Sequence, residues 1–217
     1  MIKVIFFDFD GVILESVDIK TDAFVELFRE YPTQINNIKT HHLNNTGISR
    51  FEKIKIYFRD FIKQPLSEDK YQAFLNRFSE IVFDKVLAAP YVPGAKEFIT
   101  AQSQNYDLYV ISATPSEEIK RIVEDRNLSS HFKDVLGSPV NKGEWVKNIM
   151  RNMGYIAEEA VFIGDALSDY NAADENGIHF IGRLSDPILN PFVGLKVKHV
   201  LKDLTQLKEV LEDLGKP

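Results

Sequence analysis

Two aspartates follow an apolar run near the start of the chain. Residues Val4–Phe7 are β-branched or aromatic, which is typical of a strand buried between two layers. Asp8 and Asp10 come directly after this run, one residue apart. Burying two like charges side by side is unfavourable unless a cation or a set of hydrogen bonds compensates them. The pattern therefore predicts that a cation or a cage of hydrogen bonds accompanies the two carboxylates.

Polar residues also follow later apolar runs. Ser112 ends "LYVIS", Asp165 follows "VFIG", Asp169 comes four residues later, and Lys142 precedes a predicted helix. Ligands of parallel sheets bind beyond the carboxyl ends of the strands. If the strands before Asp8 and Asp165 are neighbours, as many as four carboxylates converge there. Ligands that are all oxygen favour Mg²⁺. Such a site suits phosphoryl transfer with one carboxylate as nucleophile and another as general acid and base.

The elements that must position these residues are short apolar runs that alternate with helical stretches. This alternation predicts an α/β fold with a doubly wound, Rossmann-like parallel sheet. The helix after the second strand is expected to begin with Thr114 as its N-cap. The predicted strands are Val4–Phe7, Leu108–Ser112, Val135–Leu136, Val161–Gly164 and His179–Ile181, with a weaker one near Val197–Val200.

The chain between the first and second strands has a different character. Its apolar residues recur at the helical spacing of three and four on three amphipathic helices. It is flanked by "LESVD" and by the proline- and glycine-containing "AAPYVPG". We predict a helical cap domain at residues 17–88, inserted into a core domain formed by residues 1–16 and 89–217.

Four segments in order carry a family resemblance. "DFDGV", "VISAT", Lys142 and "GDALSD" resemble the four successive motifs of the haloacid dehalogenase superfamily. The position of the helical insert resembles the α-helical, C1-type cap of the phosphoglycolate phosphatase-like and β-phosphoglucomutase-like group. The resemblance covers nearly the whole chain and implies the Rossmann-like core and cap of that superfamily.

The resemblance implies roles for the aspartates. Asp8 would be the nucleophile and a magnesium ligand together with Asp165 and the backbone carbonyl of Asp10. Asp10 would also be the general acid and base. Asp169 would hold the metal site, directly or through a water.

Other residues would bind the substrate, according to the same resemblance. Ser112, the adjacent Ala113 and Lys142 would bind the phosphoryl group. Arg50, in the cap segment "NNTGISR", resembles a substrate-facing arginine that can grip an anionic or hydroxylated group through two parallel hydrogen bonds. We expect the preceding pair His41–His42 to be exposed to solvent.

The implied activity is that of a magnesium-dependent phosphatase. It would hydrolyse a small phosphorylated metabolite, such as a sugar phosphate, through an aspartyl-phosphate intermediate. A phosphosugar mutase of the β-phosphoglucomutase type is one alternative, although those enzymes carry a histidine twelve residues after the nucleophile, where this chain has Lys20. A non-enzymatic phosphate-binding or signalling protein is the other. A receiver domain, at about 120 residues, would leave the helical insert unexplained.

The composition of the chain indicates where the protein acts and with which class of partner. The 217 residues are 44% hydrophobic and 27% charged, as in ordinary globular proteins, and none is cysteine. No apolar run approaches the roughly 20 residues that span a bilayer, and the first ten residues do not resemble a signal peptide. A net charge of −6 argues against nucleic acid or acidic membranes as partners. We expect a cytoplasmic protein that acts on a small molecule as a monomer, with a dimer as the alternative.

Overall fold

A parallel sheet forms the centre of the molecule. A computed structural model describes residues 1–186, 188 and 190–215, so positions 187, 189, 216 and 217 of the predicted core range lie outside it. Over the described residues, six strands form a single sheet with every neighbouring pair parallel. The predicted α/β fold is confirmed. The strands are β1 (Val4–Phe7), β2 (Asp107–Pro115), β3 (Asp134–Ser138), β4 (Ala160–Gly164), β5 (His179–Arg183) and β6 (His199–Leu201).

The order of the strands, β3-β2-β1-β4-β5-β6, makes β1 a central strand. The chain adds β2 and β3 on one side of β1 and then crosses to the other side to add β4. Phe7, the last residue of β1, lies level with Val110 of β2 and Ile163 of β4. Because the order in which strands are added reverses between β1 and β4, a crevice lies at the carboxyl ends of these two strands. Ligands of such sheets bind in this crevice.

Helices cover the sheet and fill the predicted insert. Every strand lies outside residues 17–88, and the division into two domains at these positions stays a prediction. In that segment the helices are α1 (Val17–Leu27), α2 (Ile35–Asn44), α3 (Arg50–Ile56), which continues into a π-helical turn (Tyr57–Ile62), and α4 (Glu68–Leu87). The remaining helices are α5 (Ala95–Gln102), α6 (Ser116–Asp125), α7 (Lys142–Met153), α8 (Leu167–Glu175) and α9 (Leu207–Leu214).

Two adjacent connections join the helical segment to the sheet. The backbone N–H of Glu15 donates to the carbonyl of Pro90 at 2.9 Å, and that of Val92 donates to the carbonyl of Ile13 at 3.0 Å. These hydrogen bonds tie the outgoing and returning segments to each other. The helical segment is therefore attached at one narrow base beside the carboxyl end of β1.

Buried apolar side chains form two clusters on the two faces of the sheet. The smaller cluster packs under α7 and α8, around Phe6 and Phe162. The larger cluster covers the opposite face and continues into the helical segment, where Phe24, Phe28 and Tyr57 pack ring against ring at 5.4–5.6 Å. Within the described part of the chain, no helix is both long enough and apolar enough to cross a membrane.

Two local expectations are wrong. Thr114 is not a helix N-cap, because β2 continues to Pro115, α6 begins at Ser116 and no side chain caps it. The Thr114 hydroxyl instead donates to Asp10 Oδ2 at 3.1 Å. His42 is not exposed: its exposed fraction is 2%, because α2 packs that face of the helix against the cap interior, and His41 is half-buried.

Candidate active site

Asp8 stands at the carboxyl end of β1 and is almost wholly buried. Its Oδ1 accepts a hydrogen bond from the backbone N–H of Phe9 at 2.7 Å and faces the ammonium of Lys142 at 2.9 Å. Among the described residues, Oδ2 accepts no hydrogen bond. One oxygen of the carboxylate is therefore fixed by the protein, and the other is left for a ligand.

Two further carboxylates join Asp8 from the neighbouring strand. Asp165 follows β4, and Asp169 lies in the first turn of α8, where its Oδ2 accepts the backbone N–H of Ala166 at 3.0 Å. Oxygens of Asp8, Asp165 and Asp169 all lie within 4.8 Å of one another. Lys142, at the start of α7, donates to Asp169 Oδ1 at 2.6 Å. The structure thus brings together three of the four predicted carboxylates and the predicted lysine.

The charge of this cluster is only partly compensated. Burial raises the pKa of Asp8 to about 7; Lys142 works against this rise, and Asp169 and Asp10 add to it. Burial and the neighbouring Asp8 and Asp169 raise the pKa of Asp165 well above its usual value. Burial would lower the pKa of Lys142, but Asp169 and Asp8 raise it above its ordinary value, so it stays charged. The one ammonium pairs with Asp8 and Asp169 but not with Asp165, so three carboxylates leave an excess of negative charge. This excess, together with all-oxygen donors, fits a divalent cation such as Mg²⁺.

Asp10 points to a different set of partners. Its Oδ1 accepts the hydroxyl of Ser16 at 2.6 Å, and its Oδ2 is bonded by the ammonium of Lys20 and by the Thr114 hydroxyl. Lys20 also donates to Thr114 Oγ1 at 2.7 Å. Burial acts to raise the pKa of Asp10, but the Lys20 charge and the three side-chain hydrogen bonds lower it below its usual value. Asp10 is therefore held as a carboxylate, separate from the cluster around Asp8.

A glycine lets the loop after β1 pass close to Asp165. Gly11 has a φ of +76°, a conformation that side chains disfavour. A Cβ at this position would lie 2.3 Å from Asp165 Oδ2. The glycine that follows the two aspartates is thus required by both the backbone turn and the space for a carboxylate.

A small cavity, the catalytic chamber, separates these core residues from the helical segment. Its volume is about 20 Å³, which is room for about one water. Ser112, buried at the carboxyl end of β2, accepts the backbone N–H of Thr114 at 3.1 Å, so its own hydroxyl proton is free to be donated. The chamber is lined by Asp8, Asp10, Ala113 and Asp165 from the core and by Val17, Lys20, His42, Thr46 and Gly47 from the helical segment.

A larger groove reaches the chamber from the surface. It has a volume of about 530 Å³ and lies between the loop after α2 and the loops that follow β4 and β5. Thr46, Gly47 and Asp165 line both the groove and the chamber. A ligand can therefore approach the carboxylates along this groove.

Arg50 does not line the chamber or the groove. Its guanidinium is buried, donates to Glu118 Oε2 at 2.9 Å and to Ser79 Oγ at 2.7 Å, and lies 4.5 Å from the ring centroid of Phe78. Glu118 belongs to α6, so this buried pair joins the helical segment to the core. Contact of Arg50 with substrate stays a prediction.

Sequence reasoning missed several residues of the site. Local sequence patterns mark neither Lys20 nor Ser16 as a partner of Asp10, although both lie within ten residues after it. Lys53, on α3, is buried and lies 2.8 Å from His42 Nδ1. A lysine at an otherwise apolar position of an amphipathic helix was the signal for Lys53, since such a position faces the interior.

The fold and the site define a class of protein: a Rossmann-like core whose central strands end in carboxylates, covered by a helical insert. The chain belongs to the haloacid dehalogenase-like hydrolase family, which matches residues 5–183. The predicted family and the prediction that the chain is an enzyme of the hydrolase class are confirmed.

Individual relatives extend over almost the whole chain. A 6-phosphogluconate phosphatase of Escherichia coli (strain K12) is 23% identical over 223 residues, covering 99% of this chain and 96% of the relative. The structure of a predicted phosphoglycolate phosphatase from Haemophilus somnus is similar with a TM-score of 0.74 and 18% identity, over 97% of this chain and 98% of that one. A candidate β-phosphoglucomutase from Bacteroides vulgatus has a TM-score of 0.76 and 18% identity, over 98% and 88%. At these identities the structural likeness supports the fold alone.

Proposed function

We propose that the chain is a magnesium-dependent phosphatase that hydrolyses a small phosphorylated metabolite through an aspartyl-phosphate intermediate on Asp8. The observation that carries the proposal is the cluster of three carboxylate groups and Lys142 at the crevice between β1 and β4, with Asp10 two residues after Asp8. Membership of the hydrolase family and the phosphatase named among the relatives support it.

In the first step, Asp8 Oδ2 attacks the phosphorus of the ester. A bond forms between Oδ2 and phosphorus, and the bond from phosphorus to the leaving oxygen breaks. The free position of Oδ2 and the fixed position of Oδ1 support this role. Asp10 first takes up a proton from solvent, which the approach of a phosphate dianion favours, and then gives this proton to the leaving oxygen.

In the second step, water attacks the phosphorus of the intermediate. Asp10, now a carboxylate, takes a proton from this water while the bond between phosphorus and Asp8 breaks, which releases inorganic phosphate. The hydrogen bonds from Ser16, Lys20 and Thr114 favour this ionised form of Asp10.

Residues around the chamber bind the phosphoryl group. Lys142 offsets its negative charge, Ser112 donates its hydroxyl proton to a phosphoryl oxygen, and Ala113 contributes its backbone. Asp8, Asp165, the backbone carbonyl of Asp10 and Asp169 would hold Mg²⁺. The bound cation would supply further compensation of phosphoryl charge. Arg50 would contact the substrate after it separates from Glu118.

We also propose the setting of this activity. The chain would act as a cytoplasmic monomer on a small molecule, without nucleic acid or membrane as a partner. The acidic net charge of −6 supports this, since phosphate backbones and acidic membranes repel such a protein.

The test is hydrolysis of an aryl phosphate by the full chain, in buffer that contains either MgCl₂ or EDTA. We expect release of phosphate that requires the metal and falls at least about 10³-fold in Asp8→Asn, because the nucleophile is lost. Exposed Asp22 provides the matched control, and Asp22→Asn should keep full activity.

Two outcomes would count against the proposal. Release that persists undiminished in Asp8→Asn would remove Asp8 as nucleophile. Absence of release from the aryl phosphate together with interconversion of sugar phosphates would favour the mutase alternative.

A further inference from the structure

A buried arginine on β5 is bonded to the loop that follows β1. Arg183 is the last residue of β5, and each nitrogen of its guanidinium donates a hydrogen bond. Nε donates to the carbonyl of Lys202 at 2.9 Å, Nη1 to the carbonyl of Gly11 at 3.0 Å, and Nη2 to Glu15 Oε1 at 2.6 Å. Because β4 lies between β5 and β1 in the sheet, the side chain bridges the end of a whole strand to reach this loop.

The bond to Gly11 fixes a turn that the glycine itself leaves free. Gly11 has a φ of +76°, and glycine is the residue whose backbone is least restrained. Its N–H donates to the carbonyl of Leu14 at 2.8 Å, and its own carbonyl accepts from Arg183. The peptide group before Gly11 is planar and contains the carbonyl of Asp10. The two hydrogen bonds therefore fix both peptide planes that meet at Gly11, and with them the orientation of the Asp10 carbonyl.

Gly11 also lies against a carboxylate of the cluster. A Cβ at this position would be 2.3 Å from Asp165 Oδ2, so the backbone of the turn and this carboxylate are in close contact. A shift of the turn would thus disturb two groups at once, the Asp10 carbonyl through the chain and Asp165 through space. Both belong to the set that would hold Mg²⁺.

A second arginine anchors the other connection to the helical segment and provides a comparison. Arg126 Nη1 donates to the carbonyls of Leu87 at 2.7 Å and Ala89 at 2.9 Å, and its Nε donates to the Tyr91 hydroxyl at 3.2 Å. None of these acceptors belongs to the loop after β1. Arg126 therefore makes a comparable number of hydrogen bonds at the same base without touching the turn at Gly11.

We propose that Arg183 is a positioning residue for the metal site, because it fixes the turn at Gly11 and so holds the Asp10 carbonyl and Asp165 in place for Mg²⁺. This rests on the proposed function, which names these groups as magnesium ligands. Arg183 acts through the loop, since its polar contacts within the described residues are the two carbonyls and Glu15. Groups that orient metal ligands in this way contribute about 10- to 100-fold to metal affinity.

The test measures binding of Mg²⁺ to the folded chain without substrate. Isothermal titration calorimetry with MgCl₂ gives the dissociation constant, which we expect to rise about tenfold or more in Arg183→Met. Arg126→Met should leave it within about threefold of the native value, because its acceptors lie away from the cluster. Glu15→Gln should also stay within about threefold, since it keeps an acceptor for Arg183 and leaves the bond to Gly11 intact.

Thermal unfolding in EDTA separates stability from metal binding. Both arginine variants lose buried hydrogen bonds and should have a lower Tm than the native chain, whereas only Arg183→Met should bind Mg²⁺ more weakly. If Arg183→Met does not fold, Arg183→Lys takes its place. A single ammonium cannot serve all the acceptors of the planar guanidinium, so this variant should raise the dissociation constant by about threefold or more.

Three results would overturn the proposal. The first is a dissociation constant for Mg²⁺ that Arg183→Met leaves unchanged or that Arg126→Met raises equally. The second is an equal rise in Glu15→Gln, which would assign the effect to the ion pair with the outgoing connection. The third is a raised KM for the ester with unchanged affinity for Mg²⁺, which would make Arg183 a substrate contact, since it also lines the groove.

The native chain distinguishes failure of this proposal from failure of the proposed function. Binding of Mg²⁺ and metal-dependent hydrolysis of the aryl phosphate by the native chain, with unchanged affinity in Arg183→Met, would leave the phosphatase standing and remove the role of Arg183. Absence of both metal binding and hydrolysis in the native chain would remove both.

Discussion

At the scale of single residues, the main feature of the site is that carboxyl groups of like charge lie close together away from solvent. Asp8 and Asp165 both have a raised pKa, while Asp10, only two residues from Asp8, has a lowered one. The difference comes from their partners, because Asp10 has its own cation in Lys20, whereas Lys142 is shared between Asp8 and Asp169. The two carboxyl groups therefore lie in different electrostatic surroundings. A cation bound at the cluster would favour the ionised form of Asp8 that a nucleophile needs, and Lys20 favours the ionised form of Asp10 that a general base needs.

This difference predicts how stability depends on pH without metal. Between about pH 4 and pH 7 the folded chain keeps a proton on Asp8 that the unfolded chain has lost, so the free energy of unfolding falls as pH rises. Asn cannot ionise. We therefore expect Asp8→Asn to be more stable than the native chain at pH 8, by up to about 4 kcal/mol, with the difference vanishing near pH 4. Urea unfolding in EDTA at both pH values measures this.

The control for this measurement is Asp22→Asn, which replaces an exposed aspartate of α1. The free energy of unfolding of this variant should stay within about 0.5 kcal/mol of that of the native chain at both pH values. An Asp8→Asn variant that is less stable than the native chain at pH 8 would show that the Lys142 contact outweighs the cost of burying the charge.

At the scale of elements, the loop between α2 and α3 is pressed against the start of α8. A Cβ at Gly47 would lie 1.8 Å from Ser168 Oγ and 3.1 Å from the Cβ of Ala166. Ser168 is next to Asp169, so this contact joins the cap loop directly to the loop that presents the carboxylates. The close contact therefore excludes a side chain at this position of "NNTGISR", whatever the substrate is.

A methyl group at Gly47 should lift the cap loop from the site. We expect Gly47→Ala to lower kcat/KM for the preferred ester by about tenfold or more, because small displacements of positioning elements have large effects on rate. Ser168→Gly removes the obstructing atoms and should restore much of the loss in the double variant. Steady-state kinetics of both single variants and the double variant measure this.

Thermal unfolding should show that Gly47→Ala keeps its fold, since the loop is only half-buried. Ser168→Gly alone serves as the control and should remain within about threefold of the native kcat/KM. A loss in Gly47→Ala that Ser168→Gly leaves unrelieved would mean that the loop acts through other contacts.

Sequence patterns predicted the elements better than their ends and contacts. All six strands and the carboxylates after β1 and β4 follow from local apolar periodicity and from the geometry of parallel sheets. Thr114 was misplaced because its capping preference is local, whereas its actual partner, Asp10, is 104 residues away. His42 could not be placed, because a polar residue of an amphipathic helix reveals its burial only when the packing of other helices is known. The position of Lys53 on the apolar face of its helix indicates its burial but not its contact with His42. Arg50 is found from its place in a motif, but its pairing with Glu118 could not be predicted, because it depends on how the helical segment packs against α6.

At the scale of the whole molecule, the proposed hydrolysis would require the helical segment of residues 17–88 (the predicted cap) and the sheet to separate and return. The chamber of about 20 Å³ holds about one water, which is too little for a phosphate ester. The two segments that join cap and core run side by side, paired at Glu15 and Pro90 and at Ile13 and Val92. A narrow base of this kind permits rotation of the cap, while Arg50 and Glu118 hold it against α6. Exclusion of water during the first step would then depend on the return of the cap.

The stability of the whole chain should report metal binding. We expect Mg²⁺ to bind the folded cluster. A ligand at about 100 times its dissociation constant adds about 2.7 kcal/mol to the free energy of unfolding, which raises Tm by about 5–10 °C for a chain of this size. The rise should be larger at pH 8 than at pH 5, because the raised pKa values of Asp8 and Asp165 make protons compete with the metal at low pH. Differential scanning calorimetry with MgCl₂, and with NaCl at equal ionic strength as the control, measures this rise in Tm. Asp165→Asn should lose most of the rise in Tm, and Asp22→Asn should keep all of it. An equal rise in the native chain and both variants would place the cation outside the cluster.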